Sequence, residues 1–277
     1  MSFIYYLIIF FTYSFIGWLW ETTYCSIVEH RFINRGFLHG PLCPIYGFGG
    51  MAVMYLLKPL SDTWLLLFFA SMFILSTLEY FTSWILEKLF HTKWWDYSKR
   101  KFNLNGRICL RCSIWFGTMG TLAAHFLHPF LEKTIFSIPL NWANLIGFSL
   151  LSIFAIDTVF TAIKLVNFSS HMTKLKNFID SLKIKYGSET WFQERHNSIS
   201  ALFETIKLRI KEENPLINEN ILKKIDQLST NQQKLLKTLK KYPALESTKF
   251  KVGIEDLRHR FTLELEKNKA KRHNTKE

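Results

Sequence analysis

Residues 3–28 read FIYYLIIFFTYSFIGWLWETTYCSIV, an apolar run without proline and with one charge, Glu21. About 20 apolar residues suffice for a helix to cross a hydrocarbon core of roughly 30 Å. Inside lipid the backbone has no water to bond to, so only helices and closed barrels can span it. The run shows none of the alternation a barrel strand needs, and it predicts a transmembrane helix. It also lacks a basic leader and is too long for an ordinary signal-peptide core, so a cleaved signal peptide is not expected.

Working outward, four further apolar stretches follow: Pro41–Leu57, Trp64–Leu86, Ile108 to about Phe130, and about Trp142 to Val166. The first of these is short and contains Gly47, Gly49 and Gly50, so it either crosses or forms a re-entrant segment. The fold class predicted is all-α: a polytopic membrane bundle of about five helices over residues 1–167. A helical, partly coiled-coil tail over 168–277 follows it. The averages conceal this division, because 277 residues with a net charge of +13 could also describe a soluble protein. Residues 1–167 carry 12 Lys/Arg and 8 Asp/Glu, whereas 168–277 carry 23 and 14.

Lys and Arg placement sets the expected orientation. Arg31 and Arg35 occupy one loop, and Lys88, Lys93, Lys99, Arg100, Lys101 and Arg107 another. With five spans these loops share a side with the basic tail. The N-terminus is then outside and the C-terminal tail in the cytoplasm. Trp18, Trp20, Trp64, Trp94, Trp95 and Trp142 fall near span ends, as an interfacial aromatic belt does. Basic residues beside spans and near anionic lipid account for the net charge, so no nucleic-acid partner is expected.

In the tail, Gly187-Ser188, Asn214-Pro215 and Tyr242-Pro243 separate helical segments at 169–186, 189–213, 216–241 and 246–270. Ile221, Ile225, Leu228, Leu235 and Leu239 form a short seam at 3–4 spacing. This seam would support a helical hairpin, a homo-oligomer or a helical partner.

Charges inside spans are costly and mark candidate sites. Glu21, Glu79 and Asp157 all fall in the expected cytoplasmic half, with Arg107 and Arg111 entering from the same side. These residues predict either a polar cavity open to the cytoplasm or an ion-pair cluster fixing helix register. A loop with Arg35, Gly36, His39, Gly40 and Pro41 precedes the second stretch. A helix beginning there would direct free N–H groups toward an anion such as a phosphate or lipid head group. In the second loop, Asp96 or Asn105 could cap the following helix. The substrate-binding candidates are thus Glu21, Arg35, His39, Glu79, Asn105, Arg107, Arg111 and Asp157. Cys109 and Cys112 share a helix face and make a weak metal pair, and no cofactor is expected. Walker A, nucleophile-elbow and zincin motifs are all missing from the sequence, so no catalytic residues are assigned.

Three blocks carry a family resemblance: Gly17 to Glu21, Asn34 to Gly47, and Trp95 to Leu110. Asn-Arg-Gly-Phe-Leu-x-Gly-Pro and Asn-Leu-Asn-Gly-Arg-Ile-Cys-Leu are long, unusual strings. Residues 1–165 resemble a bacterial membrane family of ABC-transporter type IV permeases. Lys101 departs from that pattern, which has proline before the Phe-Asn-Leu run. The resemblance implies a permease in the bacterial cytoplasmic membrane, partnered by the lipid bilayer and by a separate ATP-hydrolysing subunit. It assigns no substrate. Two other readings stand beside it: a membrane-anchored scaffold that recruits a partner through its tail, and a membrane-embedded enzyme acting on a lipid or phosphorylated carrier.

Overall fold

The computed structural model describes residues 2–28, 30, 32–90, 93–186 and 188, with short pieces at 203–205, 208, 223 and 225–228. Helix α1 (Phe3–Val28) is followed by α2 (Pro44–Leu56), a 3-10 turn (Lys58–Leu60) and α3 (Trp64–Phe90). A two-stranded antiparallel ribbon, β1 (Asn103–Leu104) with β2 (Ile108–Cys109), leads into α4 (Leu110–Leu122). A π turn (Ala123–Leu127), α5 (His128–Phe136) and α6 (Leu140–Tyr186) complete the order.

Among the described residues, three helices are long and apolar enough to cross a membrane: Phe3–Val28, Trp64–Phe90 and the Leu140–Ile184 part of α6. The other two expected spans take different forms. Helix α2 has 13 residues, which at 1.5 Å per residue is about 20 Å, short of a hydrocarbon core. It starts at Pro44, not at Pro41 as the proline pattern predicts. Residues 41–43 stay outside the helix because the Cys43 N–H donates to the Ser14 carbonyl at 3.0 Å, which ties the approach to α1. Pro44 then takes the first helical position, where no N–H is needed. The fourth stretch runs on to Phe136, since α4, the π turn and α5 follow without interruption.

Two compact units divide the chain: Met1–Leu89 with Trp95–Ile163, and Phe90–Trp94 with Lys164–Glu277. In the first, Ile4, Ile8, Ile9 and Tyr13 of α1 form a core with Met54 of α2, Leu131 and Ile135 of α5, and Ala143 of α6. Val53, Leu57 and Leu67 form a smaller one. Gly47 and Gly50 lie where a Cβ would strike Ser14, Phe10 and Tyr13, so glycine lets α1 and α2 approach closely.

In the second unit, α6 continues through the composition break near Phe168 to Tyr186 as one helix of 47 residues. The segment expected to begin afresh at 169 is therefore its extension. Leu165, Phe168, Met172, Leu175, Phe178 and Leu182 are buried along it at 3–4 spacing, and the Phe178 ring lies 5.9 Å from that of Phe203. Of the expected tail seam, Ile225 and Leu228 are buried. Ile221, Leu235 and Leu239 lie outside the described residues, as do Arg31 and nearly all of the segments at 189–213, 216–241 and 246–270.

Candidate functional site

The site begins with one face of α1. Trp18, Thr22, Cys25 and Ser26 recur at the spacing of a helical stripe, and each holds the loop that follows. Trp18 Nε1 donates to Asn34 Oδ1 at 2.7 Å, and Ser26 Oγ accepts the Ile33 N–H at 3.0 Å. Thr22 Oγ1 accepts the Arg35 N–H at 3.2 Å, while Arg35 Nε donates to Cys25 Sγ, also at 3.2 Å. The loop is thus laid back along α1, and Arg35 stands where its charge acts on Glu21.

Glu21 and Glu79 come within electrostatic reach of each other, one from α1 and one from α3. Glu79 is 8% exposed. Burying a carboxylate without partners is costly, and each acid has a partner here: Tyr97 for Glu79 and Cys43 for Glu21. The Tyr97 hydroxyl hydrogen-bonds to Glu79 and also to Cys112. Cys43 Sγ lies 3.9 Å from Glu21 Oε2. Tyr46, entering on the first turn of α2, feels the charges of both acids. Burial, followed by the charge of Glu79, holds the Tyr97 hydroxyl well above the usual phenolic range, so it remains a neutral donor. Burial works against the Arg35 charge. The Cys25 sulfur and Glu21 more than offset this, and its pKa lies above the ordinary guanidinium value.

The remaining candidates fall in three other places. Asp157 and His39 pair with each other. Asp157 Oδ1 accepts the His39 N–H at 3.1 Å, and Oδ2 accepts the Gly40 N–H at 2.7 Å. His39 Nδ1 lies 2.8 Å from Thr161 Oγ1 and 3.4 Å from Asp157 Oδ1. The loop expected to present amides to an outside anion therefore presents them to a carboxylate of α6. Arg107 and Asn105 clamp the ribbon to α3. Arg107 Nη2 meets Glu87 Oε2 at 2.7 Å with the guanidinium over the Tyr80 ring, and Asn105 Nδ2 donates to Tyr80 Oη at 2.9 Å. Arg111 is exposed in the first turn of α4. Of the four residues expected to line one cavity, Glu21 and Glu79 act on each other, Asp157 is bonded to the loop at 39–40, and Arg111 is exposed on α4.

Neither Asp96 nor Asn105 caps α4, whose N-cap is Cys109. Asp96 instead folds onto Ser98, accepting its N–H at 2.9 Å. Asn105 and Gly106 both have positive φ, 54° and 68°, in the three-residue turn that joins Leu104 to its partner Ile108, closed by the Arg107 N–H donating to the Leu104 carbonyl at 3.0 Å. Cys109 Sγ and Cys112 Sγ are 3.3 Å apart. Among the described residues no group of three or more His, Cys, Asp or Glu is placed to hold a metal ion.

Tyr46 and Tyr97 were not singled out by charge patterning, because a tyrosine near a span end reads as an interfacial anchor. Their signal was position alone: Tyr46 follows the glycine-rich loop and Tyr97 the Trp94-Trp95-Asp96 run.

The sequence model of a family described as "Putative ABC-transporter type IV" matches residues 8–162. That interval holds every residue of the groups above. No curated protein and no solved structure matches the chain.

Proposed function

The chain belongs to this ABC-transporter type IV family, and on that premise we propose that it is the membrane-embedded part of a transporter whose ATP hydrolysis comes from a separate subunit. Residues 1–167 are the transport body, with the N-terminus outside. Residues 168–277 are a cytoplasmic helical tail. Continuous helix over 110–136 and the short helix α2 make the other two of five crossings, which puts the N-terminus and the tail on opposite sides. The basic segment 87–107 is the cytoplasmic face on which the ATPase docks.

One observation carries this reading. Two carboxylates from two long apolar helices, Glu21 and Glu79, stand together with Arg35, Tyr46 and Tyr97 at one level of the bundle. Intramembrane acids of this kind mark substrate or ion pathways. A guanidinium tethered by a thiol and a loop can shift relative to the acids, and a proton or cationic group on the substrate can take its place.

The native complex, purified through a tag on this chain, is expected to contain an ATP-hydrolysing subunit. Its ATPase activity should fall severalfold in Glu79→Gln and Glu21→Gln while membrane insertion persists. Recovery of the chain without any ATPase, or full activity in both variants, overturns the reading. Orientation has its own test. Phe102, 81% exposed on the segment 87–107, is a better reporter than the buried Cys43 and Cys109. Phe102→Cys should react with a charged maleimide only from the cytoplasmic side.

A further inference from the structure

Helix α4 has two unlike faces. One lies directly on α3: a Cβ at Gly117 or Gly120 would strike Phe68 or Ser71, and Ser113 Oγ is 2.8 Å from Ser76 Oγ. The opposite face is open, with Ile114 and Trp115 47% and 51% exposed. At its N-terminal end this face is more than bare apolar surface. It forms the wall of a groove of about 580 Å³ whose rim is Arg100, Lys101 and Phe102 from the loop and Arg111 from α4.

The rim carries three cations and no acid. Among the described residues, none of the three side chains is in an ion pair. Like charges gathered on one rim repel unless an anion sits among them. Phe102 adds a second anomaly. Its φ is 53°, a conformation costly for a bulky residue, and its ring remains 81% exposed. The Phe102 carbonyl accepts the Leu110 N–H at 3.1 Å, which holds this backbone and leaves the ring at the rim of the groove.

We propose that this groove holds an anionic phospholipid. Arg100, Lys101 and Arg111 take its head group, and an acyl chain lies along Ile114, Trp115 and Thr118 beside the Phe102 ring. A soluble phosphate would satisfy the rim and leave the apolar wall uncovered. A zwitterionic lipid would cover the wall and leave the cations unbalanced. Only a ligand with both parts fits a groove in which both are contiguous. The proposal rests on the membrane embedding of α4 given above.

Native mass spectrometry of the full chain in neutral detergent tests it, with dioleoylphosphatidylglycerol and dioleoylphosphatidylcholine added in equal amounts. Basic residues near a head group attract anionic lipid, so the wild type should retain phosphatidylglycerol about tenfold more tightly. The triple variant Arg100→Gln, Lys101→Gln, Arg111→Gln should lose that preference and keep basal binding of both lipids. Trp115→Ala should weaken both alike. A preference that survives the triple change overturns the proposal. So does displacement of phosphatidylglycerol by inorganic phosphate, which would make the ligand a soluble anion. In phosphatidylcholine–phosphatidylglycerol vesicles, a membrane-soluble photolabel should mark the peptide containing Ile114–Thr118. Without that label the embedding of α4 fails, and the site with it. A label without lipid preference removes the site alone.

Discussion

Asp157 Oδ2 accepts the main-chain N–H of Gly40 at 2.7 Å, joining α6 to a loop 117 residues earlier. The neighbouring His39 N–H and Thr161 Oγ1 both reach Asp157 Oδ1, at 3.1 and 3.2 Å. A loop built to bind an anion has one already, supplied by the protein. Its N–H groups are thereby satisfied, and the loop that carries Arg35 is fixed at its far end.

Removing that carboxylate leaves two amides unpaired. Hydrogen bonds to a charged group contribute about 1.5–3 kcal/mol, so Asp157→Ala should destabilise the protein by about 2–4 kcal/mol after allowance for shared solvent access. Asp157→Asn keeps one carbonyl acceptor and should fall between the two. Thermal unfolding in detergent reads the order directly, and equal melting of the wild type and Asp157→Ala would show that the amides find other partners.

Much of this architecture is legible in the amino-acid order, and the exceptions have physical causes. Long apolar runs mark α1, α3 and the first half of α6 because lipid demands nothing more of them. The start of α2 is misplaced by three residues, since a tertiary hydrogen bond from Cys43 to Ser14 decides it. Composition also hides the length of α6. Beyond Val166 its exposed positions turn polar, Ile184 excepted, while Phe168, Met172, Leu175, Phe178 and Leu182 keep the buried stripe going. Within the candidate site, Glu21 and Glu79 are visible as acids in apolar runs. That Asp157 belongs with His39 and Arg111 with the outer face of α4 depends on helix rotation, which charge patterning does not specify.

Tyr97 gives a pH prediction. Burial raises its pKa in the folded protein above the ordinary phenolic value of about 10. The folded chain therefore holds this proton more tightly than the unfolded chain does. Its contribution to stability is complete below pH ~10 and is lost as pH rises through the folded pKa. Tyr97→Phe has no such proton. It should be less stable at neutral pH by about 1–3 kcal/mol, because Glu79 loses its donor. Its stability should also fall less steeply above pH ~10. Parallel alkaline slopes for the two proteins would count against a buried, neutral Tyr97.

The ribbon that carries Arg107 makes a conformational prediction. Gly106 sits at φ 68°, and a Cβ there would lie 2.5 Å from Asp96 Oδ1. Left-handed backbone costs an L-residue roughly 1–2 kcal/mol before any clash is counted. Gly106→Ala should therefore loosen the turn, and Arg107→Ala should release it from Glu87 and Tyr80. Both should speed proteolytic cleavage within 93–107. Arg107→Lys should rescue only part of the protection, since an ammonium cannot reproduce the planar stacking on Tyr80. Unchanged cleavage in Arg107→Ala would mean that the hydrogen bond from Trp95 Nε1 to the Arg107 carbonyl, at 3.0 Å, holds the ribbon without the side chain.

Cys109 and Cys112 make the last prediction. Their sulfurs are 3.3 Å apart, and a disulfide requires about 2.05 Å, a change that rotation about the side-chain bonds can supply at a helix start. With diamide as the oxidant, the two thiols lose two protons and two electrons, and the azo bond of diamide is reduced to the hydrazine. An intrachain Cys109–Cys112 bridge should form before any bridge involving Cys25 or Cys43. The Cys109 and Cys112 sulfurs already lie side by side, whereas Cys25 is held by Arg35 Nε and Cys43 sits beside Glu21. The bridge would also take from Tyr97 its thiol partner, leaving Glu79 as its hydrogen-bond acceptor. Peptide mapping by mass spectrometry before and after dithiothreitol identifies the pairing. A Cys25–Cys43 bridge formed first would show that the loop carrying Arg35 leaves α1 more readily than its hydrogen bonds to Thr22 and Cys25 allow.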